Sequence, residues 1–300
     1  MADLPDDCSQ IVDSPWNGKT LRQLLDENGK QFGFSPEQCR FPFGLLIKFL
    51  DANDVLSVQV HPDADACKLF PDARLKTECW YVLAAEPGSV IYRGLKPQID
   101  RKQLENALKD GHLQDLMMVY PAKTGDFHYL PAGTIHALGA GVVVAEIQTP
   151  SDTTYRLYDW NRRDEQGRSR KLHIEQALAS IHYTDENRAI QEPCPPTKFA
   201  KQFLQKFGSQ IGNNNILLDC PYFSVSTLNI YDEKQFDFIL SRPVVLISLS
   251  CTGFVTNQAA KDYNCPFKPG DTILMPAMQG KLEIINSGQC LLTCLGPEKA

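Results

Sequence analysis

No run of eighteen or more apolar residues occurs in the 300-residue chain, so no segment reads as a transmembrane helix. The opening MADLPDDCSQ lacks the basic and apolar stretches of a secretory leader, and a cytoplasmic location is expected. An excess of positive charge is also absent. Thirty Lys and Arg against 36 Asp and Glu leave a net charge of -6, so neither nucleic acid nor a membrane is an expected partner. An anionic substrate would have to be held by locally placed Lys or Arg. The ten cysteines form no CxxC pair; the closest two, Cys290 and Cys294, sit in the apolar run GQCLLTCLG. Thiols in such runs behave as small hydrophobes, so reduced cysteines are expected instead of a disulfide framework.

Helical patterns are few as well. Thr20 is placed to cap LRQLLDEN, which stops at Gly29 as the C′ residue, and Asp100 to cap RKQLENALKD. A second short helix is expected at HLQDLMM. In HIEQALASI, Ile174, Ala177, Leu178 and Ile181 make one apolar stripe at helical spacing.

What the chain has in quantity is short β-rich runs punctuated by Gly and Pro, from about residue 40 to 160 and again from about 220 to 298. LLIKFL, VLSVQV, CWYVLAA, SVIYRGL, FHYLPA and GVVVAEIQT are strand candidates in the first block. FSVSTLNI, VVLISLS, DTILMPA, LEIIN and QCLLTCLG are those of the second. Short, evenly spaced strands argue for antiparallel sandwiches or barrels. The expected fold is therefore mainly β, with two cupin or jelly-roll barrels and a few short helices. A metal-binding domain over 1–190 and a second domain lacking metal ligands over 191–300 are expected, joined by the polar, Pro-rich ENRAIQEPCPPTKFAKQ.

An internal repeat supports two blocks. KTGDFHYLPAGTIHAL (123–138) resembles KPGDTILMPAMQGKLE (268–283), aligning Gly125 with Gly270, Asp126 with Asp271 and Pro131 with Pro276. His136 then falls opposite Lys281, so only the first copy keeps an imidazole.

Chemistry concentrates in the first block. In Val55-Leu-Ser-Val-Gln-Val-His61, alternation puts Ser57, Gln59 and His61 on one face of a strand and Leu56, Val58 and Val60 on the other. Two ligand-type side chains two residues apart suit one metal, although a strand with a polar face toward water has the same pattern. Glu78 opens another strand, and His136 follows the turn Pro131-Ala-Gly-Thr-Ile. Gln59, His61, Glu78 and His136 form a mixed N/O set, of the kind found at catalytic zinc sites that keep a position open. Cys79 alternates away from Glu78. Glu146 and Gln148 share a strand face, with Arg156 after a turn that could fold it back toward them. Lys48 and Lys76 lie in apolar or strand contexts from which either could face a barrel lumen. His112, His128, His173 and His182 are given no functional role.

FPFGLLIKFLDANDVLSVQVHPD, KTECWYVL and LPAGTIHALGAGVVVAEIQTPSDTTYRLYDWNR occur in the order and approximate spacing of the type I mannose-6-phosphate isomerases, whose short bacterial form this chain resembles over about residues 15 to 185. The resemblance implies one zinc ion per chain, on Gln59, His61, Glu78 and His136. It implies a catalytic arginine at Arg156, active-site positions at Lys76 and Glu146, and positions near the substrate at Ser57 and Lys48. It further implies a sugar-phosphate substrate, interconversion of mannose 6-phosphate and fructose 6-phosphate through an enediolate, and a monomer or weak homodimer. Members of that form usually carry a Trp-Gly segment and a Glu-x-Trp strand ahead of the equivalent of SPWNGKTLRQLL, which lies here about a dozen residues in; an exposed sheet edge is the corresponding expectation. Two alternatives stay open: another metal-cupin enzyme, such as an iron oxygenase, and a non-catalytic sugar-binding or regulatory cupin.

Overall fold

The computed structural model describes residues 1–183, 215–231, 234–257, 264–277 and 279–296. The chain opens with a two-strand ribbon, β1 (Asp3–Leu4) and β2 (Asp7–Cys8), then α1 (Leu21–Asn28). There follow β3 (Leu46–Ala52), β4 (Val58–Val60), α2 (Ala64–Leu69), β5 (Glu78–Ala85) and β6 (Val90–Leu95). Next come α3 (Arg101–Asp110), a 3₁₀ turn (Leu113–Leu116), β7 (Met117–Pro121), β8 (Phe127–Leu130) and β9 (His136–Leu138). β10 (Val142–Gln148), β11 (Tyr155–Tyr158) and α4 (Ile174–Ser180) complete this half. The other half holds β12 (Ile216–Asp219), β13 (Phe223–Ile230), β14 (Lys234–Ile239), β15 (Val244–Ser248) and β16 (Gly253–Asn257). It ends with β17 (Asn264–Phe267), β18 (Thr272–Met275), β19 (Gln279–Ile284) and β20 (Gly288–Leu295). The molecule is mainly β, as its alternating runs imply.

Two compact units divide the chain. In the first, from Ile47 on, the sheets run β3-β10-β5-β8 and β11-β4-β9-β6-β7. Trp80, Val82, Val142 and Val144 of one sheet pack with Ile91 and Leu138 of the other, so the two sheets form a sandwich. The outer face of the second sheet is not left to water. Val58, Val60, Ala137 and Leu157 pack with Leu104 of α3 and Ala177 and Leu178 of α4. The apolar face of β4 is therefore packed, and on its polar face Ser57 and His61 are buried and Gln59 half-buried.

The second unit has sheets β12-β13-β20-β15-β18 and β14-β19-β16-β17, closed on Leu228, Phe236, Phe238, Leu246, Leu282 and Leu292. Side chains of this kind each contribute roughly 1.5–3 kcal/mol on full burial. Expectation placed all of 1–190 in one domain; residues 1–46 instead belong to the compact unit of the C-terminal strands. The Ala277 N–H donates to Phe32 O at 2.7 Å. A Cβ on Gly33 would lie 2.4 Å from Ala277 Cβ, and one on Gly44 2.4 Å from Leu295 Cδ2. The Pro-rich linker falls outside the described residues.

The caps at Thr20 and Asp100 are both reciprocal capping boxes, with Gln23 and Gln103 reaching back. Gly111 ends α3 in the left-handed conformation at φ 75°, whereas Gly29 is right-handed at φ -53° and does not serve as a left-handed C′ stop. Glycine is needed there for space, since a Cβ would lie 2.3 Å from Cys39 Sγ. HLQDLMM yields only the 3₁₀ turn, because Met117 and Met118 enter β7. In α4, Ala177, Leu178 and Ile181 are buried but Ile174 is not. The repeat holds at its turn: Gly125 and Gly270 have φ of 91° and 93°, and Asp126 and Asp271 each accept the backbone N–H three residues earlier. The nine described cysteines are all free. Among the described residues, no helix is long and apolar enough to cross a membrane.

Candidate active site

The inner faces of the first sandwich bring the chemistry together through strand pairing. Gln59 on β4 lies directly opposite His136 on β9 and, on its other side, opposite Arg156 on β11. Directly paired residues share a face, so these three point inward together, with His61 two residues beyond Gln59. On the facing sheet Glu146 pairs with Trp80 and Gln148 with Glu78, again on one face. Cys79 pairs with Ile147 on the reverse of that sheet.

At the centre stand His61, Glu78 and His136, all buried, with their ligand atoms within 4.8 Å of one another. His61 Nε2 lies 3.1 Å from Glu78 Oε2, and His136 Nε2 lies 3.3 Å from Glu78 Oε1. The other ring nitrogens settle what these contacts are. His61 Nδ1 meets Thr153 O at 3.1 Å, and His136 Nδ1 meets Thr134 O at 2.8 Å. A carbonyl oxygen only accepts, so each Nδ1 carries the proton and each neutral ring turns a bare Nε2 lone pair toward the carboxylate. Three acceptor groups then face one another; His61 Nε2, His136 Nε2 and Glu78 Oε1 have no hydrogen-bond partner, and Glu78 Oε2 has the Lys76 ammonium beside it. Two bare imidazole nitrogens converging on one carboxylate fit a divalent metal, with carbonyls fixing both imidazoles in ligating orientation. Half-buried Gln59 faces the same space from beside His136.

The electrostatics agree. Burial, and then the Lys76 charge, push His61 down to about 3, which keeps it neutral. Burial works to raise the Glu78 carboxyl, but the Lys76 ammonium outweighs it and holds it well below the usual carboxylate range. Lys76 Nζ lies 2.9 Å from Glu78 Oε2; against the cost of burial, Glu78 and Glu146 raise its pKa. Glu146 behaves oppositely. Burial and then the Glu78 charge raise its pKa, with Lys76, Lys48 and the Trp80 indole opposing. Its Oε1 lies 3.5 Å from Lys48 Nζ, and its Oε2 accepts the Trp80 Nε1–H at 3.0 Å. Lys48 also donates to Gln148 Oε1 at 3.1 Å, so this lysine does face inward.

Arg156 reaches the site by a different route from the one its sequence position suggested. It does not fold back onto β10; β11 pairs with β4 in the facing sheet, and Arg156 Nε donates to Ser57 Oγ at 3.1 Å. Nη1 donates to Lys171 O at 3.1 Å, and the Arg156 backbone N–H donates to His173 Nδ1 at 3.3 Å. Burial, then the neighbouring Arg170, lower its pKa. Asp159, nearby, is shared by Arg162 and Arg170. Trp80 and the Thr134 and Thr153 carbonyls were missed in the sequence. Trp80 shares its face with Glu78 by alternation, a signal that could have found it, but a carbonyl leaves no trace in a residue's identity.

Fold and site together define a β-sandwich protein whose interior carries a His-Glu-His cluster able to hold a metal ion, flanked by a buried carboxylate, two lysines and an arginine. The family model for the phosphomannose isomerase type I catalytic domain matches residues 1–88. Mannose-6-phosphate isomerase from Streptococcus mutans is 35% identical over 296 residues, covering 95% of this chain and 86% of that protein. Its Bacillus subtilis counterpart is 32% identical over 291 residues, covering 96% and 85%. The chain belongs to the mannose-6-phosphate isomerase family, type I. The crystal structure of the mannose 6-phosphate isomerase from Bacillus subtilis matches with a TM-score of 0.77 at 26% identity, covering 98% of this chain and 88% of that one. A mutant phosphomannose isomerase from Salmonella typhimurium, at 15% identity, shares the fold with a TM-score of 0.69 over 99% and 90% of the two chains.

Proposed function

We propose that this chain interconverts mannose 6-phosphate and fructose 6-phosphate with one zinc ion per chain, held by Gln59, His61, Glu78 and His136. The observation that carries the metal is the pair of bare Nε2 lone pairs turned on a buried carboxylate. The substrate rests on family membership. When bound, zinc supplies a fixed positive charge beside the two oxygens between which the carbonyl moves, without redox chemistry. Glu146, buried and raised in pKa, is suited to take the carbon-bound proton and return it to the neighbouring carbon. Lys76 is the partner for the hydroxyl proton. Arg156 is held by Ser57 and the Lys171 carbonyl with no carboxylate within ion-pair distance among the described residues, so its charge is available to an enediolate or a phosphate. Ser57 and Lys48 contact substrate on either side of the metal ligands. Two cupin barrels, a cytoplasmic location and a monomer or weak homodimer complete this reading.

The test is a coupled assay of fructose 6-phosphate formation from mannose 6-phosphate, run with metal analysis of the same preparation. Turnover with zinc at one per chain is expected. Zinc-loaded protein without turnover would instead favour a sugar-binding role, and iron would favour an oxygenase.

A further inference from the structure

The largest fully buried side chain among the described residues is Trp80, and it stands between the two halves of the chemistry. Its Nε1–H donates to Glu146 Oε2 at 3.0 Å, and its ring meets the His136 imidazole edge-on, with centroids 5.3 Å apart and planes at 84°. Glu146 and Trp80 are direct partners across β10 and β5, so this contact is built into the register of the sheet. The other carboxylate oxygen, Oε1, has the more distant Lys48 ammonium at 3.5 Å as its ion-pair partner among the described residues.

We propose that Trp80 is a positioning residue for the isomerisation: its indole N–H fixes the Glu146 carboxylate and thereby assigns the proton transfer to Oε1. An indole N–H donates and cannot accept or ionise in this range. It therefore keeps its hold on Oε2 whether Glu146 is charged or protonated, and the arriving proton goes to Oε1. A lysine or a hydroxyl in its place would itself exchange protons with the base. The edge contact with His136 ties the same side chain to a metal ligand, so base and metal centre share one rigid reference. The inference rests on the assignment of Glu146 as the base.

The experiment uses the full-length zinc-loaded protein and measures zinc content, KM and kcat. Trp80→benzothienylalanine keeps the bicyclic shape and replaces only the N–H by sulfur; Trp80→Phe is the genetically encoded companion. Loss of kcat by about 10-fold to 100-fold, with zinc and KM retained, is expected, since small misplacements of a general base cost rate on that scale. In a Glu146→Gln background the same replacement should change kcat no further, because residues acting through one another are not additive. Unchanged kcat in the benzothienyl protein would overturn the proposal, as would a loss of kcat that follows loss of zinc. Full activity of Glu146→Gln alone would instead remove the base assignment on which the inference stands.

Discussion

Between the sheets of the C-terminal sandwich lie Leu228, Phe236, Phe238, Leu246, Leu282 and Leu292; between those of the N-terminal one lie Lys48, Gln59, His61, Glu78, His136 and Glu146 beside a smaller apolar floor. Both use antiparallel strands, and the repeated Gly-Asp turns at 125–126 and 270–271 start equivalent strands, β8 and β18. What differs is the side chain that alternation sends inward. Aligning the repeats puts Lys281 opposite His136, but Leu282 and Ile284 are the residues of β19 that fill the core, so Lys281 lies on the reverse face. The second interior is not a metal site with one ligand exchanged. It is a packed apolar core. A scaffold can thus carry a buried charged centre in one copy and spend the other on stability.

The largest expected effect is at the centre of the polar interior. His136→Ala removes a ligand and should abolish both zinc binding and isomerase turnover, read by metal analysis and the coupled assay; full metal retention would contradict the ligand assignment. Arg156→Ala should lower kcat by about 10²–10³-fold, the scale for removing a preorganised charge, while zinc stays bound. In the apolar interior the currency changes. Leu246→Ala should cost about 2–5 kcal/mol of stability in denaturant unfolding and leave zinc content as it is. A subtler difference concerns pH. Because Glu146 is raised in pKa, kcat/KM should fall on acidification at a pH above the ordinary carboxylate range, as the base takes up its proton. Lys48 works to lower that pKa, so Lys48→Met should move this acidic limb to still higher pH, as the pH profile of kcat/KM would record. Smallest of all is Lys281→His, on the reverse face of β19. It should change stability by no more than about 0.5 kcal/mol and create no metal site, which metal analysis would check.

Much of the first site was legible because β alternation is local. Ser57, Gln59 and His61 share a face whatever surrounds them, and so do Glu146 and Gln148. The caps at Thr20 and Asp100 were legible for the same reason, each being a contact within three residues. Gly29 was misread because its constraint is Cys39, ten residues away, and Ile174 because helical periodicity does not say how wide the buried stripe is. Arg156 was placed near the site by sequence but given the wrong approach, since a turn's direction depends on which strand β11 pairs with.

Residue types and their period determined by themselves that this chain is built of strands, that one strand face carries Gln59 and His61, and that the second repeat lacks the imidazole. Only the tertiary structure decided that His61, Glu78 and His136 converge on one cluster able to hold a metal. His61 owes its tautomer to a carbonyl 92 residues further along the chain, and His136 to one only two residues back, both presented to Glu78 from a facing sheet. A lone pair becomes a ligand when its neighbours leave it no proton and its burial leaves it no water, and those are conditions that distant strands impose on one another.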